Sequence, residues 1–347
     1  DQGDLTLAGD LSAGGIMFNL ADSSAPDTAR DIIINDGVTL SSLGAATLLA
    51  TGDILLSDIN VATGDLTIVA DGVVNDNTSG NGANVTMGSG ELSILSKAME
   101  LTLDVGYIKS LTTTETDTSA TPIDIISVNG NTRLEDISTS GQAIFQQTAG
   151  NLTLTGSVFA DDLDMDVLAG NLAQEQAAAM TITNGFDLTA SGSMALSSIT
   201  SQEGNISITA GGALTEASPT RETSVITTSA TDAIVTIQAS QIGSASEIGD
   251  FEIKSGHVNS LTATAGGIFV ELKKGGNLGA TSATGDIEIT QALGSLTLTD
   301  AVTSSAGAAD LTTVGGLTMG AGSSITARDG AVLDAQGGDL ALTSVTV

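Results

Sequence analysis

One short phrase recurs along the chain and constrains its fold more than any other feature. It consists of Gly, then Asp or Asn, then an aliphatic residue, a polar residue and a second aliphatic residue. Clear copies begin at Gly3, Gly64, Gly150, Gly204, Gly285 and Gly338. Alternating apolar and polar residues predict a short half-buried strand. The preceding Gly and Asp or Asn predict a turn, in which the Asp or Asn side chain bonds to its own backbone.

The spacing of the phrase predicts how the strands are arranged. Leu152 and Leu172 are 20 residues apart and Leu296 and Leu317 are 21 apart, while other steps are about half as long. A repeat of this length is typical of a solenoid, in which each coil stacks on the one before it. The aromatic signatures of propeller blades, the leucine-rich repeat phrase and tandem RTX glycines are absent from the sequence.

We therefore predict an all-β fold, a right-handed parallel β-helix (solenoid) with roughly 20 residues per coil. Such a chain would form about 17 coils and a rod about 80 Å long. No composition boundary divides it, so residues 1–347 are predicted to be a single elongated β-helix. Because the first residues already lie within the repeated phrase, we interpret the chain as a segment of a longer protein or a fibre subunit.

The stretch from 162 to 167 illustrates the faces that such a strand would have. Successive side chains of a strand point to opposite faces. The expected inward residues are Leu163, Met165 and Val167, and the expected outward residues are Asp162, Asp164 and Asp166. Outward carboxylates suit a cation, but side chains two apart on a strand lie about 7 Å from each other. This spacing favours a solvated acidic face over a chelating site.

The charge of the chain excludes some partners. Nine basic residues stand against 41 acidic ones, which gives a formal net charge of −32. Such a surface repels phosphate backbones and anionic lipid headgroups, so we expect no nucleic-acid partner. We also expect no membrane insertion, because no run of 18 apolar residues occurs. There is no cysteine, which excludes disulfides and thiolate metal sites.

Residues suited to catalysis are scarce. A Ser–His–Asp triad would have to use His257, the single histidine, which lies in a strand-like phrase. The pair Lys273–Lys274 precedes two glycines, the reverse of the order in phosphate-binding loops, so we interpret it as an exposed turn. We predict that the protein is not an enzyme and has no catalytic or cofactor-binding residues.

One loop carries the best metal candidate. Residues 71–84 are rich in oxygen donors and contain flexible glycines. The candidate ligands are Asp71, Asn75, Asp76 and Asn77. Oxygen ligands suit Ca²⁺, although EF-hand spacing and a closing Glu are missing. Calcium is the only cofactor that the sequence suggests, and a plain polar loop is the alternative interpretation.

The repeated phrases, together with looser ones such as "ITAGGALTEAS", resemble the filamentous-haemagglutinin-type repeats of large secreted bacterial adhesins. The resemblance implies a right-handed β-helical shaft, export to the bacterial cell surface, and a role in adhesion or fibre building. We therefore expect a structural extracellular rod that forms a cell-surface filament or adhesin shaft. Both ends carry the phrase in nearly the same phase, which favours self-association by head-to-tail stacking into filaments.

Two other functions stay open. In the first, loops at 21–31, 71–84, 113–124 and 216–224 carry a receptor or glycan site, and the protein is a binding module with a cell-surface or glycan partner. In the second, the chain is a polysaccharide-degrading β-helix enzyme with paired carboxylates. Loops on one side of the rod would favour the binding module. A groove lined by Asp and Lys would favour the enzyme.

Overall fold

The chain folds as a β-solenoid of parallel strands, with about 14 turns of roughly 21 residues each. The computed structural model describes residues 3–20, 29–78, 84–115, 122–217, 225–245 and 250–347. Every regular element in these ranges is a strand. The predicted all-β solenoid is therefore confirmed.

The predicted number of coils is wrong, because coils differ in length. Ile54 pairs with Val74 in the next coil, but Leu5 pairs with Ile32, a longer step that includes residues 21–28. Polar insertions between strands thus use up chain without adding turns. The result is roughly 21 residues per turn and about 14 turns, where the phrase spacing alone predicts about 17.

Two compact units make up the chain, residues 1–170 (unit 1) and 171–347 (unit 2). The strands of unit 1 are β1 (Leu5–Leu7), β2 (Leu11–Ala13), β3 (Ile16–Asn19), β4 (Ile32–Ile34), β5 (Thr39–Ser42), β6 (Ala46–Ala50), β7 (Ile54–Leu56), β8 (Asp58–Val61), β9 (Leu66–Ala70), β10 (Val74–Asp76), β11 (Val85–Met87), β12 (Leu92–Ser96), β13 (Met99–Asp104), β14 (Tyr107–Thr113), β15 (Ile123–Ser127), β16 (Asn131–Ser138), β17 (Gln142–Gln147), β18 (Asn151–Leu154), β19 (Ser157–Ala160) and β20 (Asp162–Val167).

Unit 1 has its core between two parallel sheets. One sheet contains β1, β2, β4, β5, β7, β8, β10, β11, β13, β15, β17 and β20, and the other contains the remaining strands. Inward residues of successive coils lie in register and form aliphatic columns. One column consists of Leu48, Ile68, Ile94, Leu111 and Ile137, all at most 1% exposed. Burial of such columns is the main stabilising contribution to the stack.

Unit 2 is built in the same way. Its strands are β21 (Leu172–Gln174), β22 (Ala179–Ile182), β23 (Phe186–Ala190), β24 (Met194–Leu196), β25 (Ile199–Ser201), β26 (Ile206–Ala210), β27 (Ala213–Glu216), β28 (Ile226–Thr228), β29 (Val235–Ala239), β30 (Gln241–Ile242), β31 (Phe251–Lys254), β32 (His257–Ala263), β33 (Ile268–Leu272), β34 (Gly276–Ala283), β35 (Ile287–Gln291), β36 (Leu296–Leu298), β37 (Val302–Ser304), β38 (Ala309–Thr313), β39 (Leu317–Met319), β40 (Ile325–Ala327), β41 (Ala331–Ala335), β42 (Leu340–Ala341) and β43 (Val345–Thr346). One core column consists of Phe186, Ile206, Val235, Val258 and Leu278.

Strand β20 has the faces that its sequence predicts. Leu163, Met165 and Val167 are buried, whereas the aspartates at 162, 164 and 166 are only half-buried on the outer face. The alternation of side chains along a strand is therefore sufficient to assign the inward residues.

Inward-facing polar residues lie at the ends of several strands, at the corners of the coils. Buried Ser42 donates its hydroxyl to the carbonyl of Gly44 at 2.8 Å, and Ser201 does the same to Gly204 at 2.8 Å. The buried amide of Gln174 donates to the carbonyl of Ala178 at 2.9 Å. These side chains satisfy corner carbonyls that would otherwise be buried without a partner.

The Asp or Asn of the repeated phrase links one coil to the next. The Oδ1 atom of Asp53 accepts a hydrogen bond from the backbone N–H of Val73 at 2.9 Å. The same bond joins Asp65 to Glu91 at 3.0 Å, Asn205 to Ile234 at 3.0 Å and Asp286 to Ala308 at 2.8 Å. At these positions the prediction that the side chain bonds to its own backbone is wrong. The acceptor instead serves a backbone amide that lies one coil later in the sequence.

The glycine of the phrase is required where coils approach closely. Gly150 has a φ of +70°, which places it in the left-handed region. A Cβ atom there would overlap the carbonyl oxygen of Gly130 in the preceding coil. Both constraints select Gly over any other residue at this corner.

Candidate functional sites

The four predicted calcium ligands do not lie in one loop. Residues 74–76 form strand β10, so the prediction of a continuous loop over 71–84 is wrong at these positions. Asp71 precedes the strand and is exposed, and Asn75 faces outward next to Leu55 and Glu100 of the adjacent strands. Residues 79–83, which include two of the predicted flexible glycines, lie outside the described residues.

Two of the four residues are used by the fold itself. The Oδ1 atom of Asp76 accepts hydrogen bonds from the backbone N–H of Thr78 at 2.6 Å and from Nδ2 of buried Asn84 at 2.7 Å. Asn77 donates Nδ2 to the carbonyl of Ile34 at 2.9 Å. Within the described ranges, no three His, Cys, Asp or Glu side chains are grouped so that they could hold a metal ion. Calcium at these residues stays a prediction.

A group of acidic side chains around one lysine lies in unit 2, and the sequence pattern does not predict it. Lys273 Nζ lies 3.0 Å from Glu252 Oε1 and 2.6 Å from Glu271 Oε2. Glu252 and Glu271 are register partners on β31 and β33. The interpretation of Lys273 as part of an exposed turn is therefore wrong, since its side chain is only 24% exposed. We call Glu216, Asp250, Glu252, Glu271 and Lys273 the unit 2 carboxyl cluster.

Glu252 is the most deeply buried member of this cluster. It is 7% exposed, and its Oε2 atom has no hydrogen-bond partner among the described residues. A buried carboxylate oxygen without a partner loses the hydration that it has in water. Lys273 compensates the charge of Glu252 through the other oxygen, so the stability of this region depends on that single cation.

Glu216 belongs to the cluster although the equivalent residue of the preceding coil faces the core. It is the register partner of Leu196, which is fully buried. Its Oε1 atom accepts a hydrogen bond from the backbone N–H of Glu252 at 3.1 Å. An acid thus replaces an aliphatic residue at the end of a core column and satisfies a backbone donor on β31.

Burial raises the pKa values of two acids in the cluster. Burial, with repulsion from Glu252, raises the pKa of Glu216 to about 7, against opposing effects of the Glu252 N–H and Lys273. Burial, with repulsion from Glu288 and Glu271, raises the pKa of Asp250 to about 6. Burial disfavours the Lys273 ammonium, but hydrogen bonds to Glu271 and Glu252 outweigh it and raise the pKa of that lysine. The cluster can therefore take up protons near neutral pH.

Unit 1 carries an ion pair between Lys109 and Glu91 on its outer surface, which we call the charged ladder. Strand β14 contains a bulge, because Leu92 pairs with Ile108 while Ser93 pairs with Ser110. The extra residue is Lys109, whose Nζ lies 2.7 Å from Glu91 Oε2. A bulge of this kind redirects a side chain without ending the sheet. The hydrogen bond to Glu91 raises the pKa of Lys109.

The last coil of unit 2 has open apolar positions. Leu340 is 45% exposed and Val345 is 41% exposed, although their register partners Leu317 and Ile325 are fully buried. In unit 1, Leu5 of strand β1 is likewise only half-buried, whereas its partner is fully buried. Each of these strands has a parallel neighbour on one side. With one neighbouring strand each, these strands have less of their apolar surface covered than the strands within the stack.

Across the described ranges there is no helix with the length and apolar character that crossing a bilayer requires.

Comparisons with known proteins found no similar protein. No protein-family model matches the chain, and neither a curated protein nor a solved structure shows detectable similarity to it.

Proposed function

We propose that the protein is a structural, non-enzymatic element of a bacterial surface filament or adhesin shaft, located outside the cell. The single observation that carries this proposal is the parallel β-solenoid itself, in which register-paired aliphatic residues such as Leu48, Ile68 and Ile94 form a buried column along the stack. Apolar rungs with free strand edges are the features by which solenoids add further coils.

The head-to-tail contact that we propose would join strand β42 of one copy to strand β1 of the next. Strand β1 follows a Gly-Asp pair, and so does β42. Within unit 1, Asp4 Oδ1 accepts the N–H of Asp31, and the residues that follow, Leu5 and Ile32, are register partners. The same rule would pair Leu340 with Leu5 of the next copy, and Asp339 would accept the N–H of Asp4. Such a contact joins two different surfaces and generates open filaments.

The resemblance to filamentous-haemagglutinin-type repeats supports the extracellular location. The competing loop-borne binding module would use residues 21–31, 71–84, 113–124 and 216–224, and much of these segments lies outside the described residues. The last coil, in contrast, is described throughout and supplies a defined surface.

Negative-stain electron microscopy with light scattering tests the proposal. We expect filaments that lengthen as salt rises, because each copy carries a net charge of −32 and salt screens the repulsion between copies. The double variant Leu340→Lys/Val345→Lys should remove the filaments, since it places charges in the proposed contact.

Val332→Lys is the matched control. Val332 is 57% exposed on the outer face of β41, next to the same edge, so this variant should assemble like the unaltered protein. A monomer at every salt concentration would contradict the proposal, as would equal loss of assembly in the control.

A further inference from the structure

A groove of about 470 Å³ lies on the outer face of unit 1, beside the only tyrosine of the chain. It is lined by Asp65, Met87, Gly88, Ser89, Gly90, Glu91, Gly106 and Tyr107. This volume falls within the range of small-molecule sites. The lining combines one phenol ring, two carboxylates and the hydroxyl of Ser89.

The ring of Tyr107 is held in place by its neighbours in the next coil. Arg133, its register partner on β16, places its guanidinium carbon 5.1 Å from the ring centroid. The Tyr107 hydroxyl donates a hydrogen bond to Glu135. An aromatic ring fixed through both its face and its hydroxyl loses little side-chain entropy when a ligand packs against its remaining surface.

Two of the glycines that line the groove are constrained differently. Gly90 has a φ of +111°, and a Cβ atom there would overlap the carbonyl oxygen of Gly64, so only Gly fits. Gly106 is different, because a Cβ atom at that residue would meet no atom within 4 Å. The fold therefore requires Gly90, whereas Gly106 leaves free space that a larger side chain could fill without overlap.

The carboxylates beside the groove make contacts within the protein. Glu91 is paired with Lys109 at 2.7 Å, and Glu135, on the same strand as Arg133, accepts a hydrogen bond from the Tyr107 hydroxyl. Asp65 Oδ1 accepts the N–H of Glu91 at 3.0 Å. Asp65 and Glu91 thus offer carboxylate acceptors to the groove, which suits a neutral ligand rich in hydroxyl groups.

We propose that this groove binds a neutral pyranose saccharide. The C–H face of a pyranose ring packs on Tyr107, and its hydroxyl groups donate to Asp65 and Glu91 and bond with Ser89. An anionic sugar is disfavoured because its carboxylate would face Asp65 and Glu91. The site lies on the side of unit 1 and involves none of the residues of the proposed head-to-tail contact, so either proposal can fail alone.

The titration of neutral oligosaccharides into the full chain tests this assignment. The chain has one Tyr and no Trp, so its tyrosine emission reports on Tyr107 alone. The probes are the hexasaccharides of maltose, cellulose and chitin, with choline and a galacturonate hexamer as cationic and anionic comparators. We expect at least one neutral probe to change the emission with a Kd of about 1 mM or lower, and the comparators to have no effect.

Two variants and one control locate the site by calorimetry. Tyr107→Ala removes the ring and Gly106→Gln fills the groove, and each should weaken binding roughly tenfold or more. Phe159→Ala removes another exposed ring of unit 1, which is 45% exposed and does not line the groove, and it should bind normally. Gly106→Gln should keep the melting temperature, which separates loss of the site from loss of the fold.

Three outcomes would overturn the assignment. The first is that none of the neutral probes binds. The second is that choline or the galacturonate hexamer binds more tightly than every neutral probe. The third is that Gly106→Gln binds the best neutral probe as well as the unaltered chain does.

Discussion

The charged ladder of unit 1 and the carboxyl cluster of unit 2 are built from the same kinds of side chain in different surroundings. In unit 1, Lys109 of strand β14 pairs with Glu91, and in unit 2, Lys273 after strand β33 pairs with Glu252 and Glu271. Lys109 and Glu91 have side chains that are 52% and 34% exposed. Lys273 and Glu252 have side chains that are only 24% and 9% exposed. Water can replace either partner in unit 1, but it has little access to the pair in unit 2.

This difference in burial decides what each lysine contributes. An exposed ion pair gains little over two hydrated ions. In a buried pair the loss of one partner leaves an uncompensated charge, which is strongly destabilising. Similar contacts, 2.7 Å in unit 1 and 3.0 Å in unit 2, therefore have different consequences.

The largest expected effect is that of Lys273→Met. The variant removes the cation from Glu252, so we expect the stability of β31 and β33 to fall by about 3 kcal/mol. Hydrogen exchange of the amides in these two strands measures this local loss. The control is Lys109→Met, which should leave the exchange of β14 and the melting temperature unchanged. Equal effects of the two variants would remove the distinction between the regions.

The second effect is a pH dependence of unit 2. Glu216 and Asp250 have folded-state pKa values of about 7 and about 6, above their ordinary values of 4.5 and 3.8. The folded state then binds more protons than the unfolded state between about pH 4 and pH 7. These protons contribute fully to the free energy of unfolding below the unfolded-state pKa values. The contribution is lost as the pH rises through the folded-state pKa values.

Glu216→Gln tests this pH dependence. Glu216 is half-buried, and after allowance for solvent screening we expect its share to be about 1 kcal/mol between pH 5 and pH 8. Hydrogen exchange of β27 and β31 should become slower on acidification in the unaltered chain. The variant should show a flatter dependence on pH, to which Asp250 still contributes. An unchanged slope would show that Glu216 does not titrate in this range.

A smaller effect is expected for the hydrogen bonds between coils. Asp53→Ala frees the half-buried N–H of Val73 and should cost about 1 kcal/mol. Asp286→Ala frees the N–H of Ala308 at an exposed site, where water can replace the carboxylate as acceptor. This variant should therefore lower the free energy of unfolding by less. Chemical unfolding of the two variants provides the comparison. A larger loss for Asp286→Ala would contradict the importance of burial.

The smallest effect concerns the pKa of Tyr107, without a measurable change in stability. Its hydrogen bond to Glu135, followed by burial and the charge of Glu135, raises the pKa of the phenol above its ordinary value of 10.0. Because this is the only tyrosine, the tyrosinate absorbance gives its titration directly. Glu135→Gln should lower the midpoint towards the ordinary value. A midpoint that does not move would show that Glu135 does not accept this proton in solution.

Most of the fold could be predicted from the sequence because it depends on local alternation. The inward residues of β20 follow from the period of a strand alone, and the solenoid follows from the spacing of the phrase. The number of coils could not be predicted, because it depends on how many residues each insertion uses.

The sites could not be predicted because their partners lie in other coils. Glu216 occupies the register position of Leu196, which is known only once the length of the intervening coil is known. Lys273 contacts Glu252, and their closeness depends on the pairing of β31 with β33. The presence of two adjacent lysines before glycines contains no information about that pairing.

The hydrogen bonds from Asp and Asn side chains give the stack of each unit a polarity. At Asp53, Asp65, Asn205 and Asp286, the oxygen belongs to the earlier coil and the amide to the later one. A finished coil thus exposes acceptors for the backbone amides of the segment that follows it in the sequence. Growth from the amino-terminal side can then proceed one coil at a time, without waiting for distant parts of the chain.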